Sequence, residues 1–323
     1  MSSNPLVSIL VRSMDRPTLQ RALDSIAAQD YPNIEVVVVA AAASHRELPS
    51  TCGAFPLRLV RTARALKRAE AANVALEAAR GDWFNFLDDD DELLPMHVSR
   101  LRDELDANQP ARLAHSVSED VSADGRPVGH HGGRFKPWRQ LDTGFFRPCC
   151  AMFASSLLDD GAYFDPRFEI LEDMDFFIQC AERTPFVFVA DVTARYYVDA
   201  GDSGAGRGLN RDDDRLQSTF TVLREKWADL DRRMRATPEF RAEHALFLIE
   251  NGYFDEAVPI VVQLLKENPD SPDGRTLRVL QLIARGEMER AQWVLGQIGE
   301  GVPKVEGLVL KLDQIRARMS TLH

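Results

Sequence analysis

Trp83-Phe84-Asn85-Phe86-Leu87-Asp88-Asp89-Asp90-Asp91-Glu92 runs from an apolar stretch straight into five consecutive acidic side chains. A short apolar run bounded in this way reads as a buried strand, and the carboxyl end of such a strand is where open α/β sheets bind their ligands. Carboxylates this crowded repel one another, so either their pKa values rise or a cation joins them. Magnesium and manganese accept carboxylate oxygens and complete their shells with substrate phosphates, so one or two of these Asp could hold a metal-bound nucleotide. The plainer alternative is a solvated acidic loop capping the helix that starts near Pro95, because acids favour helix N-termini.

Upstream, residues 6–11, 34–40 and 57–60 have the same apolar, β-branched character and read as further strands buried on both faces of a parallel sheet. Between the first two, Leu19, Leu23, Ile26 and Ala27 recur at helical spacing, with Pro17 near the start and Asp30-Tyr31-Pro32-Asn33 closing the segment. A second helix, residues 68–79, presents Ala69, Ala72, Leu76 and Ala79 on one face and stops at Gly81. The fold class is therefore α/β, doubly wound.

The 323 residues suffice for about two domains at roughly 150 residues each. Past residue 215 strand signals vanish and the chain reads as helices. Gly252 and Gly286, Ala257 and Ala291, and Pro269 and Pro303 are each separated by 34 residues, the period of a tetratricopeptide helix pair. An ordinary helical bundle with one accidental echo is the alternative. On the repeat reading, Leu246, Ile249, Phe254, Ala257, Leu280, Ile283 and Ala291 form apolar faces. Two such units need a neighbour, either the preceding domain or another chain.

Composition narrows the class of function. With 39 basic and 50 acidic residues the formal charge is -11, which disfavours nucleic acid as a partner. The 4 Cys show no CxxC spacing, which suits reduced thiols in a cytosol. No signal peptide and no apolar run approaching the roughly 20 residues of a membrane span is visible, so the expected location is cytoplasmic, or peripheral at the inner face of a membrane.

A second acidic group, Glu169, Glu172, Asp173 and Asp175, opens an amphipathic helix that continues through Phe176, Phe177, Ile178 and Ala181. A carboxylate fixed at a helix start can accept a proton from a hydroxyl, although capping is the commoner role of such residues.

Residues 5–11, Arg16-Pro17, Leu23-Asp24-Ser25-Ile26 and Gln29-Asp30-Tyr31-Pro32 resemble the opening of a family 2 glycosyltransferase. Asn73, Ala78-Ala79-Arg80-Gly81-Asp82, Phe86 to Asp91, Phe146-Arg147 and Glu172-Asp173 follow in that family's order across residues 5–200. The resemblance implies a GT-A nucleotide-sugar-binding (Rossmann-like) domain at 1–214, with the helical tetratricopeptide-like region at 215–323. It implies an inverting single displacement from a nucleotide-sugar donor, with a UDP-sugar as the expected donor, to a hydroxyl of a glycan, lipid-linked or protein acceptor.

On that mapping Asp88 and Asp90 hold manganese or magnesium and Asp173 is the base. Donor binding is expected from Asp88, Asp89 and Asp90 and from Arg12 and Arg68, which could hold the diphosphate, with solvated surface charge as the alternative for the two arginines. Glu172 and Trp138 lie on the acceptor side, with residues 130–133 expected to be a mobile acceptor loop. The C-terminal helices would recruit a protein partner or a second copy of the chain.

Two departures from the family stand out. Ala40 to Ala43 replace the acidic pair that usually follows the second strand, leaving backbone groups, Ser44 or His45 to read the nucleoside. Tyr196 to Gly201 lacks the histidine relatives often carry, for which Asp199 or Asp202 could substitute. The first departure keeps open a second reading, a catalytically inactive scaffold or sugar-nucleotide-binding protein acting through its helices.

Overall fold

The structure, a computed structural model, describes residues 4–133, 135, 141, 146–200, 211–250, 254–267, 278–279, 282 and 287–296. The chain falls into two compact units, Met1–Lys226 and Trp227–His323.

Ten strands of the first unit form one sheet: β1 (Val7–Ser13), β2 (Ile34–Ala40), β3 (Thr51–Cys52), β4 (Phe55–Val60), β5 (Trp83–Asp88), β6 (Glu92–Leu93), β7 (Leu113–Val121), β8 (Pro127–His131), β9 (Ala151–Ala154) and β10 (Phe186–Tyr197). Their order is β3-β4-β2-β1-β5-β9-β7-β10-β6, with β8 beside β7. The four strands expected from sequence, β1, β2, β4 and β5, form the parallel half. Beyond β5 the sheet is mixed, because β9 pairs antiparallel with both β5 and β7. The doubly wound expectation thus covers only half of the sheet. β9 spans four residues, too few to announce its direction through a helical crossover.

Side chains alternate between the two faces of each strand, so the continuous apolar runs are explained by burial on both sides. Val7, Ile9 and Val11 of β1 pack with α1 (Leu19–Ala27) and α3 (His97–Ala107). Leu10 faces the other way, toward α2 (Arg68–Ala78) and the aromatic residues Phe176 and Phe177. The helix α2 buries Ala69, Ala71, Ala72 and Ala75, a row of small side chains that lets its backbone approach the sheet closely. The unit also contains α4 (Ser156–Asp159), α5 (Glu172–Ala181) and α6 (Asp213–Lys226). Although α6 begins where the sequence reading starts its helical region, it groups with the first unit.

The second unit comprises α7 (Ala228–Arg235), α8 (Pro238–Glu250), α9 (Phe254–Glu267) and α10 (Met288–Gly296). α8 packs on α9, and Arg241 meets Glu267 at 2.8 Å. Of the three pairs behind the 34-residue echo, only Ala257 and Ala291 are described, and both are fully buried. Gly252, Gly286, Pro269, Pro303, Leu280 and Ile283, and the side chains of Leu246, Ile249 and Phe254, lie outside the described residues, so the repeat itself is an expectation only. No helix among the described residues is long and apolar enough to cross a membrane.

Candidate active site

Strand order reverses between β1 and β5: β2 and β4 follow β1 on one side, and the chain then crosses to β5 on the other. Such a reversal opens a crevice at the carboxyl ends of the strands, and the acidic run sits there. Arg12 and Asp88 are paired in register at this point. Arg12 Nε donates to Asp88 Oδ1 at 2.8 Å and Nη2 to Oδ2 at 2.9 Å, while Nη1 donates to Glu172 Oε1 at 2.6 Å. Arg68, the first residue of α2, donates through Nε to Glu172 Oε1 at 3.1 Å and through Nη2 to Asp88 Oδ2 at 3.4 Å. Two guanidiniums and two carboxylates therefore alternate in a closed ring. Burial alone would raise the Asp88 carboxyl, but Arg12 and Arg68 outweigh it and hold Asp88 below the usual range. Glu172 is lowered in the same way, against its burial, by Arg68 and Arg12.

The remaining carboxylates of the run do different work. Asp89 is fully buried and does not line the cavity. Its Oδ2 accepts from Ser13 Oγ at 3.0 Å and from Met14 N at 2.7 Å, and its Oδ1 accepts from Arg16 Nη1 at 2.6 Å. Asp89 shapes the loop after β1 instead of facing a donor, which corrects the direct contact expected of it. Asp90 faces the cavity with Arg16 Nη1 at 3.7 Å, and burial together with Asp88 pushes its carboxyl up to about 6. Asp91, buried and likewise raised by burial and by Asp90, accepts from Tyr197 N at 3.1 Å.

Apart from Asp89, the charged groups of the ring and the aspartates of the acidic run open onto one cavity of about 710 Å³. Asp173 enters it from the first turn of α5, whose N-cap, Leu171, is forced to φ 60°. A bulky residue in the left-handed region carries strain that its surroundings must hold in place. Here the turn sends Glu172 into the ring and Asp173 into the cavity. Burial, then Glu172, pushes the Asp173 carboxyl up to about 6. Glu172, expected on the acceptor side, is instead locked under Arg12 and Arg68, because a buried carboxylate needs such partners.

Several contributors were given no role by the sequence, although Arg147 belongs to the Phe146-Arg147 motif. Arg147 lines the cavity 4.0 Å over the Tyr196 ring and donates to Asp120 at 3.0 Å. Arg215, Leu216 and Phe220 reach the cavity from α6. Other expectations fail. His45 is buried behind the loop, 2.9 Å from Ser13 Oγ, and Ser44 is exposed; neither lines the cavity. Ala41 does line it, but its carbonyl accepts from Leu66 N at 2.9 Å. Asp199 is exposed and outside the cavity wall. His130 and His131 belong to strand β8 and not to a loop, because β7 offers them a pairing edge. Trp138 and Asp202 lie outside the described residues.

The donor set fits a divalent cation through Asp90 more readily than through Asp88. Both oxygens of Asp88 already accept from Arg12, whereas Asp90 is a cavity-facing carboxylate raised by burial and by the neighbouring charge of Asp88. Among the described residues no group of three or more His, Cys, Asp or Glu gathers to hold a metal unaided. A cation at Asp90 would draw the rest of its shell from phosphate oxygens and water, as magnesium commonly does.

Comparison with known proteins agrees with this geometry. Residues 8–161 match the family described as Glycosyl transferase family 2. An uncharacterized glycosyltransferase of Haemophilus influenzae is 30% identical over 104 residues, 32% of this chain and 35% of that protein. The succinoglycan biosynthesis protein ExoO of Rhizobium meliloti is 35% identical over 114 residues, 34% of this chain and 32% of that protein. The chain thus matches about a third of the length of each of these relatives. In three dimensions it resembles a crystallised portion of S. aureus TarS in complex with UDP-GlcNAc, with a TM-score of 0.56 and 17% identity, covering 92% of this chain and 98% of the other. Residues 8–161 thus match the family 2 glycosyltransferase model, and the mixed α/β sheet that contains them resembles the fold of TarS.

Proposed function

We propose that the chain transfers a sugar from a nucleotide-sugar donor to an acceptor hydroxyl by a single, inverting displacement assisted by a divalent cation. The observation that carries this reading is that one cavity receives both the Arg12–Asp88 ring with Asp90 and, from a separate helix, the raised carboxylate of Asp173. In this reading Arg12 and Arg68 balance the charge of the diphosphate, and Asp90 holds the cation that the leaving nucleoside diphosphate requires. Such a cation supplies Lewis-acid stabilisation of the charge developing on the leaving group. Asp173 takes the acceptor proton: a carboxylate that titrates near 6 is ionised at neutral pH yet more basic than an ordinary Asp.

The UDP-GlcNAc complex of TarS and the polysaccharide role in ExoO's name support a UDP-sugar donor and a glycan acceptor. Calorimetric titration of UDP, GDP, dTDP and CMP, each with and without manganese, tests the reading. Manganese-dependent binding of UDP is expected, and release of UDP from UDP-GlcNAc should depend on Asp173. Absence of binding by all four nucleotides would instead favour a scaffold, the reading that the Ala40 to Ala43 run keeps open.

A further inference from the structure

The helix α6 has little apolar surface to hold it. Leu216, Phe220 and Leu223 recur at i, i+4 and i+7, a single narrow stripe, and only Leu216 and Leu223 are buried. Its N-terminal half nevertheless forms part of the cavity wall through Arg215, Leu216 and Phe220. At that end Arg215 donates to Glu169 Oε2 at 3.2 Å, and Glu169 also receives Lys67. All three side chains are well exposed, and ion pairs of this kind are weak and screened by salt.

The opposite end is built differently. Lys226 Nζ donates to Asp165 Oδ2 and to Asp175 Oδ2, each at 2.8 Å, and both carboxylates are buried. The Phe168 ring lies 5.4 Å from the ammonium. Asp175 stands on α5 two residues after Asp173. The helix that aims the proposed base therefore also anchors the cavity wall facing the same space.

We propose that Lys226 is a positioning residue, whose clamp between Asp165 and Asp175 fixes α6 as the wall enclosing the acceptor side of the cavity. The assignment to the acceptor side rests on the glycosyl-transfer reading; the clamp itself does not. Neither carboxylate is stranded when Lys226 is replaced, since Arg167 Nη2 still donates to Asp165 at 2.6 Å and Gln179 Nε2 to Asp175 at 2.8 Å.

The full-length chain with Lys226→Met and Lys226→Arg tests this through three readouts. Backbone hydrogen exchange is followed across residues 213–226, UDP binding is measured by calorimetry with manganese, and hydrolysis of UDP-GlcNAc by water to UDP and GlcNAc is followed without acceptor. In Lys226→Met, exchange in α6 should accelerate at least about tenfold, as local opening becomes easier. UDP affinity should stay within about twofold, and hydrolysis should rise at least about threefold as the loosened wall admits water. Lys226→Arg should restore all three values. Unchanged exchange in α6 overturns the clamp, and a parallel collapse of UDP affinity overturns the acceptor-side assignment. Failure of the unaltered chain to bind any of UDP, GDP, dTDP and CMP removes the glycosyl-transfer reading and the acceptor side with it, while the exchange comparison still decides the clamp. Should Lys226→Met fail to fold, Asp165→Asn, which leaves Asp175 on the ammonium, is read by the same exchange measurement, and no acceleration there overturns the clamp.

Discussion

Arg12 and Asp88 are register partners on adjacent parallel strands, and their side chains make a two-pronged ion pair with distances of 2.8 and 2.9 Å at the carboxyl ends of those strands. Parallel pairing carries both residues to the end of the sheet at the same height. A planar guanidinium can meet both carboxylate oxygens there, which a lysine cannot do. The pair neutralises the first acid of the run and leaves Asp90 and Asp91 to carry the unbalanced charge.

Removing Arg12 should be far more costly than removing Arg68. Arg12→Met leaves the buried Glu172 and the half-buried Asp88 with one cation, so a loss of about 3–5 kcal/mol is expected in urea unfolding. The Arg68 side chain is 41% exposed, so Arg68→Ala should cost at most about 1 kcal/mol. Equal losses would argue against a buried ring.

Neighbouring aspartates should separate stability from binding. Asp89→Ala deprives the loop donors Ser13, Met14 and Arg16 of their acceptor and should lower stability by roughly 2–3 kcal/mol. Asp90→Ala relieves crowded negative charge, so its stability should hold or rise while the manganese dependence of UDP binding disappears. Thermal unfolding and calorimetry on the two variants check this contrast.

The pH dependence follows from Asp173. Its carboxyl is raised from 3.8 to about 6, so donor turnover should fall tenfold per pH unit below about 6, and Asp173→Asn should abolish it. For stability the sign is the reverse of an ordinary ion-paired Asp. The folded chain holds this proton more tightly than the unfolded chain, so the contribution is full below pH 3.8 and is lost as pH rises through about 6. Asp173→Asn should therefore reduce the slope of the stability profile in that interval, where Asp90 keeps its own share, with a gain on the order of 3 kcal/mol at neutral pH. A profile with the slope of the unaltered chain would move the raised group elsewhere.

Truncation should respect the end of α6. A fragment ending at Lys226 keeps Leu216, Leu223 and the Lys226 clamp, and should bind UDP as the whole chain does. One ending at residue 214 loses two buried leucines, each contributing about 1.5–3 kcal/mol, so its melting temperature should fall at least about 5 °C below that of the longer fragment. Identical melting would mean that α6 contributes nothing to the unit.

The parallel half of the sheet, the helices α1 and α2, and the place of the acidic run were all determined locally, by apolar runs buried on two faces and by helical spacing. That is why residues 6–11, 34–40 and 83–87 could be read directly as β1, β2 and β5. The acidic groups at Asp88 to Asp91 and at Glu172-Asp173 were likewise visible without coordinates, as clustered charge at a strand end and a helix start, whereas the roles expected of Asp88, Asp90 and Asp173 came from the family resemblance. Only the tertiary structure divided four adjacent aspartates into an arginine partner, a loop anchor, a cavity-facing group and a buried acceptor for Tyr197. That division depends on which way each side chain leaves the strand end and on what approaches from residues 12, 16 and 197, far away in the chain. The antiparallel insertion of β9, the burial of Glu172, and the assignment of α6 to the cavity wall are likewise contacts between distant segments. Local pattern carries no record of such contacts, because their energies arise only when burial brings charges from separate elements within a few ångströms of one another.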